Sequence, residues 1–450
     1  MGTTRFDLIV IGTGAAASAA AFQCRAAGWQ VAVVDSRPFG GTCMLRGCDP
    51  KKVLVGAADL MDRIRRIEGR GLRGDQARIE WPELMRFKRT FTDSVPARKE
   101  KSFLEAGIAT FHGTAHFVSS GTIEVGGDVQ QGRHTVIATG AKPQTLNIPG
   151  EQYFTTSDQF LELDSSPKRI VFVGGGYISF EFAHVSARAQ AEVTVLHRAD
   201  RPLEKFDPDL VEQLVERTRR LGINVRLHTE VNGIERRNDH FVVCTSSRGE
   251  KHEFRADMVV HGAGRTADLD DLNLSVAGVQ ASKLGVVVNE YLQSVSNPTV
   301  YAAGDAADSG LPKLTPVAEY EGGIVAANLM NGNHKKLEHV AVPSVAFTVP
   351  PLASVGLSER TAQEQGLRYR VHREKTGDWY SSRRVAEDCS GFKVLIEENG
   401  QILGAHLLGP EADELINIFA FAIQSGVSAD KLKQILFAYP THASDVAYML

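Results

Sequence analysis

Cys43 and Cys48 stand either side of four residues in GGTCMLRGCDPKK, residues 40 to 52, and the chain holds only five cysteines in 450 residues. Three chemistries compete for such a pair: metal ligation, reversible disulfide formation, and inert packing of two thiols. A structural zinc site joins a short Cys-x-Cys spacing to a second pair of ligands. No second pair exists here, since Cys24, Cys244 and Cys389 are scattered, so no metal site is expected. Thiols that only pack do not need a glycine-rich setting. A redox pair fits best, with a geometric condition attached. Positions five apart in a regular helix have Cα atoms about 8–9 Å apart, and a disulfide spans less than about 7 Å. The segment must therefore depart from a regular helix, and Gly47 before Cys48 and Pro50 after it supply the means. A helix starting near Cys48 would favour a thiolate there through its N-terminal dipole. Arg46 would lower a nearby thiol pKa or bind an anionic substrate, and Asp49 would oppose it; an Arg46–Asp49 ion pair is the alternative.

Strands alternating with helices must position this pair, which implies parallel sheets and an α/β fold. The clearest unit is FDLIVIGTGAAASAAAFQCRAAGWQVAVVD, residues 6 to 35. Gly12 permits a tight turn after the first strand, Gly14 lets the backbone approach a pyrophosphate at the helix N-terminus, and Ala17 keeps the helix close to the sheet. Asp35 closes the second strand, where a carboxylate accepts from ribose hydroxyls. The design recurs in RIVFVGGGYISFEFAHVSARAQAEVTVLHR, residues 169 to 198, with Gly174, Gly176, Tyr177 and Ile178 in the loop. Its second strand ends without an acid, at Leu196-His197-Arg198. Arginine there pairs with a ribose 2′-phosphate that a carboxylate would repel, so the second site is expected to take NADPH, with NADH as the alternative. Two such folds imply two nucleotides, one of them a bound flavin.

Bulk composition sets outer bounds. The length allows two to four domains. Fifty basic against 54 acidic residues, a formal charge of −4, form no basic stripe, so nucleic acid is not an expected partner. A hydrophobic content of 43% with no membrane-length apolar run fits a soluble chain without a membrane partner. The strand-like DLIVIGTG from Asp7 leaves no room for a signal peptide, and few, uneven cysteines argue against a secreted scaffold. A cytoplasmic location is expected.

The chain resembles the pyridine nucleotide–disulfide oxidoreductases, the group of glutathione reductase, lipoamide dehydrogenase and mercuric reductase. The likeness runs almost end to end. It rests on both glycine loops, the Cys43–Cys48 stretch, TVIATGAKP (135–143), GAGRTAD (262–268), TVYAAGDAAD (299–308), LTPVA (314–318) and VPSVAFTVPPLASVGLSE (342–359). It implies an α/β fold of two Rossmann-like dinucleotide domains plus a C-terminal α+β dimerisation domain. The implied boundaries are an FAD domain over 1–150, an NAD(P)H domain over 151–267, a return to the FAD domain over 268–335, and an interface domain over 336–450. Besides the residues already named, it implies FAD contacts from Gly41, Thr42, Lys52, Thr139, Gly140, Gly304, Asp305 and Thr315, and an NADPH contact from Gly264. Asp305 would bind the ribityl chain and Tyr177 would gate the nicotinamide site. Glu181 would pair with a lysine near the flavin, Lys51 or Lys52. Electrons would run from NADPH through flavin to a Cys43–Cys48 disulfide. Cys48 would lie toward the flavin and Cys43 toward a small disulfide substrate, in a homodimer whose active site the second subunit completes.

The C-terminus departs from this pattern. Disulfide-reducing members carry His-Pro-Thr and a glutamate four positions after the proline; this chain has Tyr439-Pro440-Thr441 and Ser444. A phenol with a pKa near 10 donates hydrogen bonds but shuttles protons poorly at neutral pH. Either the acid–base pair has moved to His442 and Asp445, which share a face if Pro440 opens a helix, or the acceptor is a quinone, metal ion or other electrophile. Soluble transhydrogenases have the tyrosine but lack the cysteine pair, and the C-terminal cysteines of mercuric reductase are absent. The stretch Asp378–Arg384 is expected as a partner-docking segment or an interface strand.

Overall fold

Strand β1 (Thr4–Ile11) carries Leu8, Ile9, Val10 and Ile11, all buried. A strand apolar on both faces belongs inside a covered parallel sheet. In the computed structural model, which describes residues 4–338 and 341–450, β1 pairs in parallel with β2 (Val31–Asp35) on one side and with Asp128–Ile137 on the other. Between β1 and β2 runs helix α1 (Ala15–Ala26), whose Ala16, Ala17, Ala20, Ala21 and Cys24 are buried. Small side chains let it lie close to the sheet.

The chain divides into two units. The first comprises Met1–Lys51, Phe87–Gln144 and Arg265–His339. Its seven-stranded sheet runs Ala109–His112, β2, β1, Asp128–Ile137, with Val300–Ala302 also parallel to Asp128–Ile137. The sheet is not wholly parallel: Thr122–Val125 and Ala115–Ser119 join antiparallel. Helix Thr315–Asn331 packs on α1, and Gly322 makes the approach possible, since a Cβ there would meet Ala16 O at 2.4 Å.

The second unit comprises Lys52–Arg86, Thr145–Gly264 and Val340–Leu450. It holds a five-stranded parallel sheet in the order Asn224–Arg226, Glu192–Leu196, Arg169–Val173, Met258–His261, Phe154–Thr155. Beside it stand a three-stranded antiparallel sheet (Glu230–Arg237, His240–Ser247, Glu250–Ala256) and a five-stranded antiparallel sheet from Ser344–Ala346 to Ile402–Leu408. Helix Ala412–Gln424 covers the latter through Leu415, Ile416 and Phe419.

Two local expectations change. Residues 378–384 are not a strand: Tyr380–Arg384 is a short helix that buries Ser381 and Ser382, and Trp379 packs against Phe392 and Tyr448. Pro440 does not open a helix. Thr441 caps a 3₁₀ segment, His442–Tyr448, by accepting from Ser444 N at 3.3 Å, so the proline lies outside it.

Candidate active site

The segment around the cysteines is two helices with a break. Helix α2 (Gly41–Arg46) holds Cys43, and helix α3 (Cys48–Ile67) begins on Cys48. The break is at Gly47, with φ −141° and ψ −115°. A Cβ at Gly47 would meet Thr42 O at 2.9 Å, so only glycine lets the two helices turn this closely. Pro50 does not share this work; it sits in the first turn of α3, where a missing N–H costs nothing.

Both cysteines are thiols, Cys43 half-buried and Cys48 exposed. Cys48 lies low, at about 6, chiefly because the Cys43 thiol hydrogen-bonds to it; burial opposes this, and the Thr315 hydroxyl and Lys51 charge assist. Cys43 is pushed up, first by that shared hydrogen bond and then by burial. The pair thus loses its first proton from Cys48 and holds the second on Cys43. The first-turn N–H groups of α3 add to the same preference. Thr315 Oγ1 lies 3.6 Å from Cys48 Sγ, at the start of helix Thr315–Asn331. Asp49 forms no ion pair with Arg46; its Oδ1 lies 3.9 Å from Cys43 Sγ, a second acceptor within reach of the one thiol hydrogen that Cys48 also draws. By contrast, burial pushes Cys24 up to about 12, out of reach of thiolate chemistry.

The first glycine loop fits a dinucleotide. A Cβ on Gly12 (φ +118°) would meet Ala138 O at 2.3 Å, and one on Gly41 (φ +72°) would meet Gly14 Cα at 2.5 Å, so strand, loop and redox segment approach backbone to backbone. Gly14 caps α1 without a side chain, leaving the first amides for an anionic ligand. Thr139 Oγ1 is buried with no hydrogen-bond partner, and a Cβ on Gly140 would meet open space. Burial raises the Asp305 carboxyl against the pull of Lys313 and Arg265, and Asp305 accepts no hydrogen bond among the described residues. These are vacant donors and acceptors of the kind FAD would use. Asp35 accepts from Thr13 Oγ1 at 2.6 Å and Arg37 N at 3.0 Å.

The second loop repeats the logic in the second unit. Gly174 (φ +105°) passes Gly262 O where a Cβ would come to 2.3 Å, Gly264 also has positive φ, and Gly176 caps helix Tyr177–Arg188 without a side chain. Tyr177 is exposed at the start of that helix, followed by Ile178 and the buried Ser179, which stands where Ala17 stands in the first loop. Arg198 is exposed. Glu181 is fully buried, not on a solvated face, and accepts from Phe347 N at 2.8 Å. Lys51 is buried on the Cys48 side, whereas Lys52 pairs with Asp413 at 2.7 Å and lies 4.0 Å over the Phe347 ring.

His442 and Asp445 line one small cavity with Trp379, Ser382 and Met449. Burial lowers the histidine and raises the aspartate. Tyr439 is 81% exposed.

Three positioning residues escape a reading by motif. Thr13 bridges Asp35 and Gly40, accepting from Gly40 N at 3.1 Å. Glu321, buried in helix Thr315–Asn331, accepts from Gly304 N at 2.6 Å and fixes the turn that carries Asp305. His197 Nδ1 accepts from Gly175 N at 3.0 Å, which leaves Nε2–H for Arg201 O at 2.9 Å. Among the described residues, no three or more His, Cys, Asp or Glu gather to hold a metal ion.

Comparison with known proteins shows the family of the chain. The family described as pyridine nucleotide-disulphide oxidoreductase matches residues 6–322, and its dimerisation domain matches 342–449. The chain is 32% identical to mercuric reductase of Staphylococcus aureus, over 97% of this chain and 80% of that protein. It is 31% identical to glutathione reductase of Burkholderia cepacia, over 98% and 97% respectively. Among solved structures it is similar to the Cu(II) complex of a cysteine mutant of the HOCl-induced flavoprotein disulfide reductase RclA from Escherichia coli. The TM-score is 0.88, with 23% identity and 99% of each chain covered, a likeness of fold.

Proposed function

The chain belongs to the pyridine nucleotide-disulphide oxidoreductase family, and from that premise we propose that it uses NADPH to reduce a small disulfide through the Cys43–Cys48 pair. It is an FAD-dependent oxidoreductase with a dimerisation domain. The bound FAD would take two electrons from the reduced nicotinamide and pass them to the cysteine pair. Gly12, Gly14, Thr139 and Asp305 would hold that group; Gly174, Gly176 and Arg198 would hold NADPH, with Tyr177 over the nicotinamide site. The observation that carries the reading is Cys48: the first residue of a 20-residue helix, low at about 6, with Cys43 still protonated beside it. One thiolate and one thiol, unequal and adjacent, are what two successive thiol–disulfide exchanges need. The active species would be a homodimer in which the second subunit completes the site.

A second reading has its own support. Tyr439 stands where disulfide-reducing relatives place their acid, and His442 is lowered by burial. A quinone or a metal ion, as the name mercuric reductase attaches to one relative, takes electrons without a leaving thiol. Anaerobic titration of the holoenzyme with NADPH separates the readings. A long-wavelength thiolate-to-flavin band after one equivalent, then turnover with disulfides, supports the first. A band with turnover only on quinones or metal ions supports the second, and no oxidation of NADPH sinks both.

A further inference from the structure

Thiol–disulfide exchange at Cys43 needs a partner for one proton. The sulfur that attacks must shed it, and the alkyl thiol that departs must receive it. Where relatives supply a histidine this chain has Tyr439, and its nearby His442 is lowered by burial within the second unit. On the cysteine segment itself one ionisable oxygen touches the attacking sulfur: Asp49 Oδ1, 3.9 Å from Cys43 Sγ. The contact is built by the Gly47 break, which sets α2 against the first turn of α3. Asp49 is exposed and forms no ion pair among the described residues, so its carboxylate can be reached by a substrate thiol as well.

We propose that Asp49 relays the Cys43 proton to the departing thiol during disulfide exchange, the duty a histidine performs elsewhere in the family. The proposal rests on the disulfide-reductase reading above. The Cys43 sulfur attacks one sulfur of R–S–S–R. A Cys43–S–S–R bond forms, the substrate bond breaks, and the proton passes from Cys43 through Asp49 to the departing sulfur, which leaves as R–SH. The Cys48 thiolate then attacks the Cys43 sulfur. The Cys43–Cys48 disulfide forms, and the second R–S⁻ leaves and takes a proton from water. Two electrons have moved from the dithiol to the substrate, and NADPH restores them through FAD. The charged and titratable groups that act on the two sulfurs are Lys51 and Asp49, and the Thr315 hydroxyl bonds to both. Cys43 keeping its proton is part of the arrangement: the proton is stored on the attacking thiol rather than on a base.

The leaving group tests this. NADPH-reduced holoenzyme is mixed in single turnover with hydroxyethyl disulfide, whose thiol is a weak acid. A parallel sample meets dithiobis(nitrobenzoate), whose thiol leaves as an anion and needs no proton. Asp49→Asn is expected to lower the ratio of the first rate constant to the second by about a hundredfold, the low side of acid–base catalysis. Asp49→Glu is expected to restore the ratio to within about threefold of wild type. Equal losses on both disulfides indicate mere disruption and overturn the relay, as does an unchanged ratio in Asp49→Asn. Wild-type enzyme that exchanges with neither disulfide overturns it too; that failure belongs to the proposed function, because it shows before any substitution.

Discussion

The proposed chemistry would turn most directly on two single residues, Cys48 and Arg198. With Cys48 at about 6, the reduced pair carries one thiolate above that pH and none well below it. The sign follows from the lowered pKa: the charge-transfer band of the two-electron-reduced enzyme should be full at pH 8, half lost near pH 6, and absent by pH 4. Lys51→Met removes a charge that lowers Cys48, so the midpoint should move up. A midpoint that stays put in spectrophotometric titration would remove Lys51 from the thiolate's environment. Arg198 is exposed at the end of the second strand of its dinucleotide unit. Arg198→Ala should raise KM for NADPH about tenfold, equivalent to about 1.4 kcal/mol, while leaving KM for NADH nearly unchanged. Equal effects on both nucleotides would take the arginine off the 2′-phosphate.

At the scale of elements, helix α3 begins on Cys48 and, further along, buries Asp62 within the second unit. Asp62, 4% exposed, takes Arg188 at 2.6 Å, Arg217 at 3.2 Å and Arg66 at 2.8 Å. Arg188 closes the nucleotide-binding helix and is itself 1% exposed. Burial alone would raise Asp62, but the three arginines outweigh it and hold it below the usual carboxylate range. Its stabilising contribution is therefore complete above about pH 4 and lost as pH falls through the lowered value. Asp62→Ala leaves Arg188 buried without that partner and should cost about 3–5 kcal/mol in urea unfolding; a loss under about 1 kcal/mol would show the network to be dispensable. Nothing in the sequence announced this cluster. The glycine loops were legible because a positive φ or a backbone contact, as at Gly12 and Gly174, admits little besides glycine and so marks the sequence locally. Glu321, His197 and Thr13 act on groups 17 to 22 positions away, and Asp62 on Arg188 and Arg217, 126 and 155 positions away; only its i+4 partner Arg66 stands at a spacing that can be read. The mistaken strand at 378–384 has the same origin. There Tyr380–Arg384 is a short helix that buries Ser381 and Ser382, while Trp379 packs on Phe392.

For the whole molecule, the decisive question is whether one chain can complete a turnover. The dimerisation domain presents large apolar side chains to solvent: Leu436 is 97% exposed, Phe421 69% and Tyr448 70%. Scattered exposed leucines are ordinary, but these side chains and the 81% exposed Tyr439 all belong to one domain. Burying them in a twofold contact would join each subunit's 421–448 region to its partner. Leu436→Glu with Phe421→Arg should therefore weaken association by about 2–4 kcal/mol, a factor of roughly 30 to 1,000 in Kd, measured by sedimentation equilibrium. The kinetic consequence separates two designs. If the second subunit completes the site, the monomer will still oxidise NADPH and form the charge-transfer band, because FAD, NADPH and both cysteines lie on one chain, yet its disulfide turnover will fall in step with the dimer fraction. If Asp49 and the cysteine segment suffice, turnover per chain will be the same in monomer and dimer. A variant that stays dimeric would instead place the contact elsewhere on the domain, and the apolar group around Leu436 would need another partner.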